Sequence, residues 1–200
     1  MSLSRRAVLV LVLAVLPATA SYAEQRVMVL DPAASKVSFV LDATTHDVEG
    51  ILALRSGRIA FDPATGAASG EIAIDLKSAA TGNKTRDHTM HEKVLETGKW
   101  PVAVFRAEKL RGAVAPAGVS QVTLDGTLSF HGADHKLSLP AKVEAGNGRL
   151  KAETELSIPY VEWGLHDPSV MFLRVEKVVT VKVQAEGRLE GAGAEPEAVK

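Results

Sequence analysis

T123-L-D-G-T-L-S-F130 places Leu124, Leu128 and Phe130 on one side of a two-residue period and Thr123, Asp125, Thr127 and Ser129 on the other. Successive side chains of a strand point to opposite faces, so this segment reads as a strand with one face in a core and the other in water. E71-I-A-I-D-L76 repeats the pattern, with Ile72, Ile74 and Leu76 set against Glu71, Ala73 and Asp75. Similar alternation runs from Leu137 to Val143, from Leu150 to Ile158 and from Val175 to Val183. Gly and Pro punctuate these runs at D62-P-A-T-G66, A115-P-A-G118 and G146-N-G148, which read as turns between antiparallel strands.

Only one interval changes period. From Thr85 to about Thr97, Met90, Val94 and Leu95 share a face at helical spacing, while His88, His91 and Glu92 lie elsewhere on the turn. Thr85 or Asp87 is expected to cap its start. One short helix among about eight or more strands, each apolar on one side, predicts an all-β barrel or sandwich rather than a layered α/β fold.

Residues 1–23 read as an export signal. Arg5 and Arg6 precede the run A7-V-L-V-L-V-L-A-V-L16, and S21-Y-A23 offers small residues at the cleavage positions. Cleavage near Ala23 and a periplasmic location are expected; S4-R-R-A-V-L-V10 also loosely fits a twin-arginine signal. The remaining 177 residues suit one domain over 24–190, followed by a tail over 191–200 that lacks an apolar pattern and is expected to be flexible. Removing the two leader arginines leaves 21 basic against 24 acidic residues, a net charge of −3, which argues against a nucleic-acid partner. The chain has no cysteine, so disulfides, thiolate catalysis and thiolate metal sites are excluded.

Several blocks then acquire meaning together: L30-D-P-A-A-S-K-V-S-F39, H46-D-V-E-G50, T81-G-N-K-T-R-D-H-T-M-H-E-K-V-L95 leading to W100-P-V-A-V-F105, and G126-T-L-S-F-H-G132 before L137-S-L-P140. In order and spacing they resemble the YceI-like family of polyisoprenoid-binding periplasmic proteins, over nearly all of Val27 to Leu189. The resemblance implies an extended, lipocalin-like antiparallel β-barrel with one short helix near its mouth, and an apolar channel that holds an isoprenoid chain. The chain departs from the commoner pattern at S157-I-P-Y-V-E-W-G-L-H-D-P-S-V-M-F-L173, which is richer in aromatics and has Pro159 where an arginine-bearing stretch is more usual.

On alternation and resemblance together, Ile74, Phe105, Leu128, Phe130, Leu139 and Leu156 are expected to point inward as ligand-binding positions, with Met90 above them on the helix. Trp100, Tyr160, Trp163 and Phe172 fall at strand ends or in loops, where they are either core or the rim of a ligand mouth; Trp100, Trp163 and Phe172 are taken as ligand contacts. The segment Trp163–Ser169 and the helix bearing Met90 are read as a movable lid.

The histidines offer a rival chemistry. His88 and His91 lie three residues apart, and His46 would supply a third nitrogen, the number many catalytic zinc sites use. H88-T-M-H91-E92 lacks the zincin order, and solvent-facing or capping roles are the ordinary reading. For F130-H-G-A-D-H-K136, a four-residue loop pairing Phe130 with Leu137 and Leu128 with Leu139 keeps one face apolar and leaves His135 in the turn. Arg86 and Asp87 read as a cap with a salt bridge to a neighbouring loop. Nothing matches a nucleophile elbow or a phosphate-cradling glycine loop. The expectation is a non-enzymatic carrier for an isoprenoid lipid or quinone, making transient contact with a membrane or a membrane redox protein. The alternatives are a histidine metal or redox site on the same scaffold, and a stress or interaction module whose interior is filled by side chains.

Overall fold

A computed structural model describes residues 25–44, 46–169 and 174–191. Nine strands run in chain order: β1 Arg26–Leu30, β2 Lys36–Leu41, β3 Val48–Phe61, β4 Ala68–Ala80, β5 Val102–Arg111, β6 Gly118–Phe130, β7 Ala133–Gly146, β8 Arg149–Ile158 and β9 Val179–Gly191. All pair antiparallel, and β3 pairs with β4 to close the sheet on itself. β1 and β2 share one strand position: both lie between β3 and β9, β1 against Arg58–Phe61 and β2 against Val48–Leu52. Asp31–Ser35 interrupts the strand between them, with Ser35 N bonded back to Asp31 O at 3.0 Å. The result is a closed eight-position antiparallel barrel with one short helix, which leaves few free sheet edges.

The predicted turns connect adjacent strands. Asp62 accepts from Ala64 N at 2.8 Å and from Thr65 Oγ1 at 2.7 Å, and Asn147 and Gly148 both have positive φ between β7 and β8. The β6–β7 hairpin differs from expectation. Phe130 pairs with Ala133, Leu128 with His135 and Leu124 with Leu139, leaving a two-residue turn of His131 and Gly132 at φ 50° and 81°. Positive φ at both central residues is what the tight hairpin turn demands. The expected register was displaced by four residues, an even number. It therefore kept the same face apolar, and side-chain alternation alone had no power to reject it. In the true register His135 is an inward-facing strand residue rather than a turn residue.

Inside the barrel the two ends differ. Met28, Leu30, Ile59, Phe61, Leu110, Val122, Leu124, Val143, Leu150 and Ala185 are buried against one another at the end carrying the β3–β4 and β7–β8 turns. At the opposite end the strands diverge under the helical segment, and β4 carries extra residues opposite β3 between the pairs Ile51–Ala80 and Ala53–Asp75. Ser78 Oγ patches that seam by accepting from Ala53 N at 2.7 Å.

Candidate functional site: an apolar cavity under the helix

The helical segment is shorter than its apolar spacing predicted. α1 spans Lys84–Thr89 and continues as a π-helical turn, Met90–Val94, closed by Leu95 N bonding to Met90 O at 2.8 Å. Bonds that reach back five residues instead of four bring Leu95 round to the face shared by Met90 and Val94, and all three line the cavity beneath. Asn83 caps the start, not Thr85 or Asp87: its Oδ1 accepts from Thr85 N and Arg86 N, both at 3.1 Å. Asp87 instead accepts from Thr81 N at 2.9 Å and from the Thr81 hydroxyl, and these bonds, led by the hydroxyl, hold its carboxyl below the ordinary aspartate range.

The cavity has a volume of about 750 Å³, within the size of small-molecule sites. Its wall is almost wholly aliphatic and aromatic. Ile74, Phe105, Leu128, Phe130, Leu139 and Leu156 all line it, as does Met90. Several of these inward residues are only partly buried although they sit inside a closed sheet. Their remaining accessible surface faces the cavity rather than packed neighbours. An interior filled by side chains is thereby excluded.

Other lining residues are not among the expected ligand contacts, although Tyr160 was read as either core or mouth rim. Phe39 lies over Gly50, where a β-carbon would come within 2.2 Å of the ring. The aromatic side chain thus occupies room that any larger partner would take. Tyr160 is buried and donates its hydroxyl to Glu176 O at 3.0 Å. Burial, reinforced by Asp167 and Glu176, pushes its pKa up to about 12. Leu137, Leu165 and Val181 complete the wall nearby. Leu165 is fixed by a compact turn in which its N bonds to Tyr160 O and Trp163 N bonds to Pro159 O, each at 3.0 Å.

Both tryptophans stand outside the cavity wall, contrary to their reading as rim contacts. Trp163 stacks on His135 with ring centroids 3.7 Å apart and planes 9° from parallel, and meets Phe130 edge-on at 6.3 Å. Trp100 covers Gly132, where a β-carbon would lie 2.6 Å from the indole, and Lys99 Nζ sits 5.0 Å from its ring centre. The physical reason is the two-residue turn. It leaves no side chain at Gly132 and draws the hairpin tip into an aromatic cluster. Phe172 lies outside the described residues.

The histidines do not gather. His91 Nε2 donates to Ala79 O at 2.9 Å, tying the π turn to β4, and its Nδ1 accepts from Thr97 Oγ1 at 3.2 Å in the loop that follows, so both ring nitrogens are occupied. His88 is exposed, and His46 is an exposed residue at the cavity rim. His131 Nε2 is 2.8 Å from Glu96 Oε2 but not aligned as a hydrogen bond, and His135 Nε2 is buried without a hydrogen-bond partner. Among the described residues, no three His, Asp or Glu side chains are grouped so as to hold a metal ion. The proposed trio of His46, His88 and His91 is undone because the helix turns His91 into the sheet.

Known proteins bear on this geometry. A polyisoprenoid-binding domain from Saccharophagus degradans, implicated in plant cell wall breakdown, is similar in structure with a TM-score of 0.65 at 21% identity, over 80% of this chain and 97% of that one. BcnA of Burkholderia cenocepacia is similar with a TM-score of 0.65 at 22% identity, over 78% of this chain and 98% of that one. A YceI protein of Campylobacter jejuni is similar with a TM-score of 0.54 at 19% identity, over 70% and 84%. No curated protein sequence matches significantly. At these identities the structural likenesses speak to the fold, which is this same barrel. The family described as the YceI-like domain matches residues 28–187, and the chain belongs to it.

Proposed function

We propose that this protein is a non-enzymatic carrier or sequestering protein that holds the long apolar tail of a polyprenyl lipid or quinone inside the barrel. The observation that carries the reading is the apolar cavity of about 750 Å³ beneath Met90, Val94 and Leu95. The polyisoprenoid-binding description of the Saccharophagus neighbour supports the ligand class. Burying a tail contributes about 0.8 kcal/mol per CH₂, against an association cost of about 4–15 kcal/mol, so chains of only a few carbons bind poorly and long ones are favoured. The wall has few groups with which to recognise a tail by hydrogen bonding, and length does the selecting.

The export reading of residues 1–23 places this activity in the periplasm, where such a tail would otherwise be insoluble between membranes. Loading and release then require transient contact with a membrane or a membrane redox protein. The segment Trp163–Ser169, whose Leu165 and Pro168 line the cavity, and the helical segment bearing Met90 are the proposed gate. Native mass spectrometry of protein purified from its own periplasm tests the reading. A lipid-sized adduct and an amino terminus at Glu24 are expected. A metal-sized adduct alone, or none after gentle purification together with no uptake of added long-chain isoprenoid, overturns it.

A further inference from the structure

Among the described residues lining the cavity, one carries a permanent charge and none is acidic: the charge is Arg86, in the first turn of α1. Its guanidinium is anchored along one edge by a single residue. Nε donates to Thr81 Oγ1 at 2.7 Å and Nη2 to Thr81 O at 3.1 Å. Thr81 donates its own hydroxyl to Asp87, so the nearest acid makes no direct hydrogen bond to Arg86, although the two charges attract through space. Among the described residues Arg86 has no direct ion pair and no further acceptor. A guanidinium has five N–H donors in a rigid fork, and two are spoken for.

A half-buried cation beside an apolar wall is poorly solvated, and it gains most from an anionic oxygen that accepts from the unused side of the fork. Thr81 fixes the plane, so little side-chain freedom remains to be lost when such a group arrives. The tail and the head would then be recognised by different physics: the wall excludes water from the tail, and Arg86 sets the chemistry permitted where the tail ends.

We infer that Arg86 is a head-group anchor, and that the cavity takes amphiphiles whose long apolar tail ends in an anionic oxygen group, a phosphate or a carboxylate, in preference to a neutral head. This rests on the tail-binding reading and narrows it.

The test is calorimetric titration of the delipidated protein with geranylgeranyl monophosphate, geranylgeraniol, palmitate and hexadecanol, each below its aggregation limit. The phosphate is expected to bind at least about tenfold more tightly than the alcohol, a difference of about 1.4 kcal/mol, and palmitate to exceed hexadecanol. The ratio within each pair separates a phosphate source from a carboxylate source. Arg86→Gln should abolish both preferences while leaving the affinity for geranylgeraniol within about twofold, as tail burial is untouched. Arg86→Lys keeps the charge without the fork and should retain part of the preference, which guards against a general loss of fold in the glutamine variant. Equal affinities for charged and neutral partners, or a preference that survives in Arg86→Gln, overturn the anchor and leave the tail reading intact. If none of the four binds, both fall.

Discussion

The two ends of the barrel are built from the same alternating strands yet reach opposite outcomes. At the turn-bearing end Ile59 and Phe61 are each 1% exposed and the inward residues touch one another. At the helix end Ile74, Leu128, Leu139 and Leu156 face inward to a cavity. What separates them is how the cross-section is filled. Leu30 packs on Gly57 at the turn-bearing end, where the inward side chains meet one another. At the other end the irregular β3–β4 seam and the roof of Met90, Val94 and Leu95 hold the wall apart. Apolar residues on the inner face of a barrel are thus not by themselves a core.

Truncation gives the largest contrast. Phe61→Ala should cost about 3–5 kcal/mol because a well-packed site loses both burial and contacts, whereas Leu156→Ala should cost about 1–2 kcal/mol because one side already faces empty space. Urea unfolding of both variants measures this, and equal losses would mean that the helix end is as tightly packed as the other in solution.

The converse change sharpens the same contrast on one strand. Ala103 and Ala107 both face inward from β5, but Ala103 lines the cavity and Ala107 belongs to the packed end. Ala107→Phe overpacks and should lose about 1–3 kcal/mol or more, while Ala103→Phe has room and should stay within about 1 kcal/mol of the parent. Ala103→Phe should nonetheless weaken uptake of a long apolar chain by about tenfold or more, since it takes the ligand's volume.

Alkaline titration probes the helix end alone. Tyr160 has its pKa raised from the ordinary 10.0 to about 12, chiefly by burial. A raised pKa means that its contribution to stability is complete below pH 10 and is lost as pH climbs to 12. Melting temperature should therefore fall over this window, and Tyr160→Phe should be less stable at neutral pH but show a shallower alkaline decline. A decline unchanged in slope would assign it to other groups.

Fluorescence gives the smallest effect. Trp100 and Trp163 pack at the β6–β7 hairpin rather than on the cavity wall, so a saturated long-chain ligand should shift their emission little. Trp163→Ala should lower stability through lost contact with His135 and Phe130, with tail affinity changed less than it is by Ala103→Phe. A large spectral shift on ligand addition would relocate the mouth toward that hairpin.

The expected ligand positions divide along the same line. Ile74, Phe105, Leu128, Phe130, Leu139 and Leu156 were legible as inward, cavity-lining positions because a strand fixes side-chain direction by parity, and parity is written in the sequence. Trp100 and Trp163 were misplaced because loops carry no such rule. Tyr160 and Leu165, which do line the cavity, sit in a turn whose fold depends on what it packs against. His91 shows the same limit: its spacing from His88 is consistent with a shared helix face, but only the approach of Ala79 and Thr97 decides that its nitrogens are occupied.

By itself, then, the sequence determined alternating runs within β4, β6, β7, β8 and β9 with their inward faces, one helical interval and, through ordered motifs, the family, although the run from Val175 becomes strand only at Val179. Each of these rests on local periodicity or on chemistry between near neighbours in the chain. Tertiary structure alone decided the β6–β7 register, since shifts by an even number of residues preserve every face. It decided that β1 and β2 share one strand position, because both must find the same pair of neighbours. The family resemblance implied a hollow interior, but which half of the barrel is hollow was left to the tertiary structure, because a cavity is set by the distance between opposite walls, and that distance is encoded in no single strand.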